Sequence, residues 1–198
     1  MDPFLELRTE RLVLREFTPK DAPELHRLAQ PREVARSMLR HPYPYEEGTA
    51  ERWIAGLRPM FEAGVGTTFA VVLRGDGTLV GTVSLYERAP DGGPAMGEEG
   101  TGLLSFWLGV PYWGNGYATE AVAGVACYGF EERGLLRIRA NRFGGNAASG
   151  RVLRKVGMSH VATRQGYHDK WGNAEDREEY VLLARDWRAI GEGDLRTS

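Results

Sequence analysis

The sequence predicts a single α/β domain in which a mixed sheet is flanked by helices. Apolar residues recur at period two in some segments and at helical spacing in others. These segments follow each other in the order β-α-α-β-β-β-α-β-α-β-β. The 198 residues, 42% of them hydrophobic, suffice for one domain with its own core. We expect roughly the last ten residues to form a loose tail.

The first half of the chain predicts a strand, two helices and a hairpin. Apolar and polar residues alternate over Arg11–Phe17, which indicates a strand. A Thr-Pro start predicts a first helix after Thr18, and the apolar spacing of Tyr45–Glu62 predicts a second. Two β-rich runs meet at Gly75–Gly77 and therefore form a hairpin. The Gly- and Pro-rich segment Arg88–Gly100 predicts a mobile loop.

The second half alternates strands and helices before a final pair of strands. The apolar run "TGLLSFWLGV", from Thr101, predicts a central strand, and Tyr117–Glu132 predicts a helix. A short strand "LRIRAN" and a helix "AASGRVLRKV" follow, and Gly157 suits the left-handed end of that helix. Two more strands are expected on either side of Trp171–Asn173.

Composition excludes several classes of partner. The net charge of −2 gives no electrostatic reason to bind nucleic acid or an anionic membrane. A single cysteine, Cys127, excludes an intrachain disulfide and fits a reducing compartment. No window is apolar enough to span a membrane, the N-terminus does not resemble a signal peptide, and the histidines lack metal-ligand spacing. We therefore expect a cytoplasmic protein without a metal; nothing in the sequence indicates its oligomeric state.

The stretch "PYWGNGYATEA" is the first candidate for a ligand site. Gly114 and Gly116 precede a helix whose first N–H groups have no partner within the helix, and such donors bind phosphate. The stretch is not a P-loop, because Asn115 and Gly116 stand where Lys and Ser or Thr are required. It is not a full dinucleotide fingerprint either, because Thr119 occupies the third glycine position. A phosphate site and a plain strand–helix turn both remain open from these residues alone.

The second candidate is the helix that follows Asn146. Asn146 suits an N-cap, and Ser149 begins an inward-facing stripe that continues through Leu153 and Val156. The Ser149 hydroxyl therefore either seals the first turn of a capped amphipathic helix or points into a cleft. Spacing alone leaves both interpretations open.

Together these segments resemble the GNAT N-acetyltransferase superfamily, and more closely its branch of ribosomal-protein N-terminal (Rim-type) acetyltransferases. The resemblance lies in "WGNGYATEA" and "NAASGRVLRKVGM", with "LRTERLVLREFTPKDAPEL" and "WGNAEDREEYVLLARDW" near the two ends. It implies a bent, mixed, mostly antiparallel sheet, splayed at its centre, that admits acetyl-CoA. It also implies transfer of the acetyl group to a primary amine, on a peptide N-terminus or a small molecule, by direct attack on the thioester.

The resemblance also implies roles for individual residues. The turn would hold the pyrophosphate of acetyl-CoA through Trp113, Gly114, Asn115, Gly116, Tyr117 and Ala118, with Thr119 beside them. Leu108 and Val110 would pair their backbone with the pantetheine arm. Asn146 would contact that arm, and Ser149 would act as the general acid toward the sulfur. Arg154 and Lys155 are either partners of the adenosine-side phosphates or part of a solvated basic face.

The general base stays unassigned. Relatives often carry a glutamate where this chain has Leu103, which cannot take a proton. The weak candidates are Glu87, Glu98, Glu99, His168 and Asp169, each of which also suits a solvated surface position. Deprotonation at neutral pH costs about 1 kcal/mol for an α-amine but nearly ~5 kcal/mol for lysine. A site without a strong base therefore favours a peptide N-terminus.

Two other interpretations remain open. Leu103 allows a non-catalytic acyl-CoA-binding or sensory module on the same fold. A nucleotide-phosphate enzyme of another fold is disfavoured, because the P-loop and dinucleotide patterns are incomplete.

Overall fold

The computed structural model describes residues 6–38, 41–88, 97–169 and 171–187. The strands are β1 (Leu7–Arg8), β2 (Leu12–Arg15), β3 (Gly66–Leu73), β4 (Leu79–Tyr86), β5 (Thr101–Leu108), β6 (Arg137–Phe143), β7 (Ser159–His168) and β8 (Ala174–Leu183). The helices are α1 (Ala22–Ala29), α2 (Arg32–Ser37), α3 (Thr49–Glu62), α4 (Tyr117–Glu131) and α5 (Ala147–Lys155).

The strands form one mixed sheet that opens at its centre. Their order is β1-β2-β3-β4-β5-β6-β8-β7, and every neighbouring pair is antiparallel except β5 and β6. The parallel pairing of β5 with β6 ends at Leu104 and Ala140. Beyond that point Ser105–Leu108 pair only with β4, and Asn141–Phe143 pair only with β8. We call the space between these two segments the β5–β6 gap.

Two cores lie on opposite faces of the sheet. Helices α4 and α5 pack on one face, over side chains such as Phe69 and Ile138. Helices α1, α2 and α3 pack on the other face, over Val72 and Trp107. Among the described residues, this second core contains none from β6, β7 or β8. The three C-terminal strands are therefore left without a helix on that side.

Most elements form where the sequence predicts them. The hairpin of β3 and β4 turns at Gly75–Gly77, and β5 is central, between β4 and β6. Asn146 is the N-cap of α5, and its side-chain carbonyl accepts the N–H of Ser149 at 3.1 Å. Gly157, just past this helix, has a φ of 92°. The predicted N-cap and left-handed ending are both confirmed.

Some boundaries differ from the prediction. Helix α3 begins at Thr49 rather than Tyr45, because Gly48 is its N-cap with a left-handed φ of 73°. The short helix α2 and the two-residue strand β1 were not predicted, since neither is long enough to show a period. The expected loop at Arg88–Gly100 lies mostly outside the described residues, and so does the expected tail.

Gly81 provides a test of the close approach between β4 and β5. A Cβ at Gly81 would lie 2.7 Å from the Cα of Leu108 and closer still to the carbonyl of Trp107. Because backbone atoms cannot yield as a side chain does, Gly81→Ala should lower the free energy of unfolding by about 1–3 kcal/mol. Urea denaturation measures this loss. Gly75→Ala, where a Cβ meets nothing within 4 Å, is the matched control; equal stability of the two variants would contradict the packing.

Candidate active site

The turn between β5 and α4 has a backbone shape that glycine adopts readily. Gly114 and Gly116 have φ of 80° and 81°, in the left-handed region, and Gly116 is the N-cap of α4. The segment Trp113–Gly116 is exposed to solvent. The first N–H groups of α4 therefore start beside an accessible turn, and they have no acceptors within the helix.

Trp113 joins this turn to the end of β5. Its indole N–H donates to the carbonyl of Leu108 at 2.7 Å, and its backbone N–H donates to the carbonyl of Val110 at 3.2 Å. The side-chain amide of Asn115 in turn donates to the carbonyl of Trp113 at 3.1 Å. These bonds fix the position of the turn relative to the strand.

A second set of contacts holds the turn from the N-terminal side of the chain. Glu120, in the first turn of α4, accepts the Thr9 hydroxyl at 2.6 Å and both the backbone N–H and Nε of Arg11 at 2.7 Å. Arg11 also donates to the carbonyl of Asn115 at 3.0 Å, and its guanidinium lies 4.9 Å from the ring centre of Tyr117. We call Thr9, Arg11 and Glu120 the anchor triad. Sequence reasoning missed it, because over a hundred residues separate Glu120 from Thr9 and Arg11.

The anchor triad is close to electrically neutral. Burial alone would raise the pKa of Glu120, but hydrogen bonds from Thr9 and Arg11 outweigh burial and lower it. The hydrogen bond that Arg11 donates to Glu120 raises the pKa of Arg11. Both groups are therefore charged at neutral pH and compensate each other. The positive end of the α4 dipole is left available to an anion.

The edge of β5 presents unpaired backbone groups to the β5–β6 gap. The N–H of Gly109 donates to Val80 on β4 at 2.9 Å. Because N–H directions alternate along a strand, the backbone N–H groups of Phe106 and Leu108 face the gap instead. The role expected of Leu108 in binding the pantetheine arm stays a prediction. The alternation adds Phe106, which the sequence analysis did not single out. Val110 lies beyond the strand, in a short 3₁₀ turn.

Asn146 and Ser149 lie on the other side of the gap, just after β6. The Asn146 carbonyl caps α5, and its amide donates to the carbonyl of Ser37 at the end of α2, at 3.3 Å. Ser149 is half-buried, and its hydroxyl forms no hydrogen bond within the described part of the chain. The glycine turn follows β5 and Ser149 follows β6, so the two candidate segments flank the gap. Arg154, near the other end of α5, donates to the hydroxyl of Tyr180 at 3.3 Å.

The carboxylates considered as bases lie at the other end of β5. Glu87 follows β4 and forms an ion pair with Arg133 at 2.8 Å. The residue before it, Tyr86, pairs with Leu103, which lies two residues before Ser105, where the gap begins. Glu98 is ion-paired with Arg137, beside the start of β5, and Glu99 is exposed in the same turn. The fold does not bring these three glutamates to the gap.

The two candidate bases from the last hairpin, His168 and Asp169, lie at its turn. Asp169 accepts the backbone N–H groups of Trp171 and Asn173 at 2.9 and 2.8 Å. The side-chain hydrogen bond from Asn173 lowers its pKa, so Asp169 is a weak base. His168, the last residue of β7, is exposed.

Other reactive groups offer no alternative site. Cys127 is half-buried in α4, and burial raises the pKa of its thiol, which keeps it protonated. Within residues 6–38, 41–88, 97–169 and 171–187, no three His, Cys, Asp or Glu side chains are grouped to hold a metal ion. The same residues contain no helix of the length and apolarity that crossing a membrane requires.

A mixed sheet that opens beside a glycine turn at a helix N-terminus defines the acetyltransferase class. The family model of the acetyltransferase (GNAT) domain matches residues 11–159. The chain therefore belongs to the GNAT acetyltransferase family, and the fold expected from the sequence is confirmed.

Similar proteins agree with this assignment. The chain is 29% identical to the uncharacterized N-acetyltransferase YoaA of Bacillus subtilis (strain 168), over 92% of this chain and 98% of that protein. A GNAT-family acetyltransferase from Bacillus anthracis has a similar structure, with a TM-score of 0.77 and 23% identity, covering 91% and 99% of the two chains. RimL, the ribosomal L7/L12 α-N-protein acetyltransferase, solved with coenzyme A, gives a TM-score of 0.76 at 15% identity, covering 90% and 98%. The structural matches establish the fold.

Replacing one member of the anchor triad tests its contribution to stability. Glu120→Gln removes the charge that Thr9 and Arg11 bind, and should lower the free energy of unfolding by about 1–2 kcal/mol at neutral pH. Because the folded-state pKa of Glu120 is lowered, this stabilisation is fully present above about pH 4.3 and is lost as the pH falls through the folded-state pKa. Urea unfolding of both proteins from about pH 3 to pH 7 should show their difference shrinking toward acid.

Glu131→Gln is the matched control for this series. Glu131 is exposed at the end of the same helix, so its replacement should change stability by less than about 0.5 kcal/mol. The anchor triad would be contradicted if Glu120→Gln were as stable as Glu131→Gln. It would also be contradicted if the difference in unfolding free energy between Glu120→Gln and the wild type did not change with pH.

Proposed function

We propose that the protein is an acetyl-CoA-dependent N-acetyltransferase that transfers the acetyl group to a primary amine. The acceptor is a peptide N-terminus or a small-molecule amine, as in the Rim-type branch, and it attacks the thioester directly. The observation that supports this most strongly is the β5–β6 gap, with the glycine turn on one side and the hydroxyl of Ser149 on the other.

The residues around the gap fit acetyl-CoA. The N–H groups of the turn, over Gly114–Thr119, suit the pyrophosphate, because they combine free donors with a helix dipole. The backbone groups of Phe106 and Leu108 suit the amides of the pantetheine arm, which binds as an added strand would. RimL, whose fold is similar, was solved with coenzyme A, and that supports the same ligand class here.

The proposed transfer requires only a few groups of the protein. Ser149 donates a proton or a hydrogen bond to the departing sulfur, whose thiol has a pKa near that of cysteine, about 8.5. The N–H of Leu108 or Phe106 polarises the carbonyl as negative charge develops on its oxygen. Leu103 supplies no proton acceptor, so the amine must reach the site already neutral. An α-amine at neutral pH meets this condition at a cost of about 1 kcal/mol.

A non-catalytic binding module is not favoured. The family match spans the candidate site, and YoaA is named as an N-acetyltransferase. The GNAT fold also removes the third interpretation, a nucleotide-phosphate enzyme of another fold.

Ligand-induced stabilisation tests the cofactor. Acetyl-CoA at about 100 times its Kd should raise the free energy of unfolding by about 2.7 kcal/mol, because it binds only the folded protein. Thermal denaturation with acetyl-CoA, CoA, ATP and NAD measures this. We expect stabilisation by acetyl-CoA and CoA alone; equal stabilisation by ATP or NAD would contradict the assignment.

Ser149→Ala tests the general acid. Removing the hydroxyl should lower kcat by about 100-fold, the lower end of the usual contribution of general acid catalysis, while acetyl-CoA affinity stays nearly unchanged. Release of free CoA with a panel of amines and peptides measures turnover. Ser159→Ala, at an exposed position at the start of β7, is the control. Unchanged turnover in Ser149→Ala would remove the proposed role.

A further inference from the structure

On one side of the sheet, the described residues of β6, β7 and β8 contribute nothing to the core under α1, α2 and α3. Trp107 of β5 belongs to the core under α1, α2 and α3. Side chains alternate along a strand and directly paired residues share a face. The pairs Leu103–Arg139 and Arg139–Val181 therefore put Arg139 on the same side as Trp107. We call this side of β6 and β8, with the first residues of β5, the open face.

Buried polar atoms without hydrogen-bond partners occur along the open face. Four buried side-chain atoms lack a hydrogen bond within the described part of the chain: Thr101 Oγ1, Arg139 Nε, Glu175 Oε2 and Arg177 Nε. By strand alternation and register all four belong to the open face. An unsatisfied buried polar group costs about 1–3 kcal/mol. Such groups on one face therefore indicate a surface adapted to a polar ligand.

Arg139 lies on this face just before the gap opens. It pairs with Leu103, one residue before the last β5–β6 pair at Leu104 and Ala140. Asn141, two residues further on, already borders the gap, about 6.6 Å along the strand. The neighbouring cations are ion-paired, Arg137 with Glu98 and Arg177 with Glu179. Arg139 has no ion pair among the described residues.

A carboxylate lies diagonally across from Arg139. Glu179 pairs with Asn141, so its Cβ is about 7–8 Å from that of Arg139. One of its oxygens accepts Nε of Arg164 at 2.5 Å and Nη2 of Arg177 at 2.9 Å. The hydrogen bond from Arg164 is the main cause of the lowered pKa of Glu179, which therefore stays ionised. Glu179 is buried and already bound by two guanidinium groups. Arg139 is therefore the charged group of this pair that is left without a counter-charge.

We propose that Arg139 binds a carboxylate of the acceptor, and that the acceptor is an acidic primary amine such as aspartate or a peptide that begins with aspartate. The amine then lies toward the gap, about 7 Å from the guanidinium, which matches the two-residue spacing from Arg139 to Asn141 along β6. This inference rests on the proposed function, since it names the substrate class of the same site. Arg139 takes no part in the acetyl transfer; it determines which amine is positioned for it.

Paired substrates test the inference. The wild-type protein should acetylate aspartyl-alanyl-alanine amide with a kcat/KM about tenfold or more above that for the asparaginyl peptide, because one charged hydrogen-bonded pair is at stake. Arg139→Gln should abolish this preference by slowing only the aspartyl peptide, and Arg139→Lys should keep part of it. Arg185→Gln, at an exposed position near the end of the described chain, should keep it fully. Free aspartate and asparagine, assayed alongside, distinguish an amino acid from a peptide acceptor.

The outcomes distinguish failure of the inference about Arg139 from failure of the proposed function. A preference retained in Arg139→Gln, or equal rates on both peptides in the wild type, overturns the inference and leaves the N-acetyltransferase intact. Absence of CoA release with every amine overturns the proposed function and the inference with it. If Arg139→Gln fails to fold, the preference for the aspartyl over the asparaginyl peptide is compared between the wild type and Arg139→Lys. That comparison tests the inference without another variant.

Discussion

The structure depends on the point at which two parallel strands stop pairing. After Leu104 and Ala140, β5 stays bonded to β4 and β6 stays bonded to β8, so the strands diverge with their neighbours. Backbone N–H and C=O groups of β5 then face a space without a strand partner. Since buried backbone groups require hydrogen bonds, this gap suits an extended ligand with amide groups. The two candidate segments are placed by the same divergence, since one follows β5 and the other follows β6.

The proposed anion site at the glycine turn depends on the turn being held in place. A mobile turn loses conformational entropy when it binds, whereas a fixed one presents its donors in advance. Trp113 connects the turn to the end of β5, and the anchor triad connects it to the β1–β2 region. Glu120 lies near the helix N-terminus, where a carboxylate stabilises the helix but also competes with an anionic ligand. Arg11 compensates that charge, which reconciles stability with binding.

Local features could be predicted from the sequence, and features that depend on register could not. Gly114, Gly116 and the N-cap Asn146 have short-range signatures, and the family resemblance placed them correctly in the fold. The contact between Arg11 and Glu120 joins distant segments with no shared period. The open face could not be predicted from the sequence either. Arg139 lies beside the gap only because the strands are ordered β5-β6-β8 in the sheet, an order that their sequence positions do not specify. The distance of Glu87 from the gap likewise follows from strand direction and register, which its position in the sequence does not specify.

Amide hydrogen exchange with and without acetyl-CoA tests the central claim, that the cofactor binds along the open edge of β5 and ends at the glycine turn. Slowed exchange is expected at the amides of Phe106, Leu108 and Gly114–Thr119, because these N–H groups gain acceptors. The amides of β2 and β3, far from the gap in the strand order, should change little. Unchanged exchange at the turn and at the edge of β5, with protection at another surface, would contradict the account.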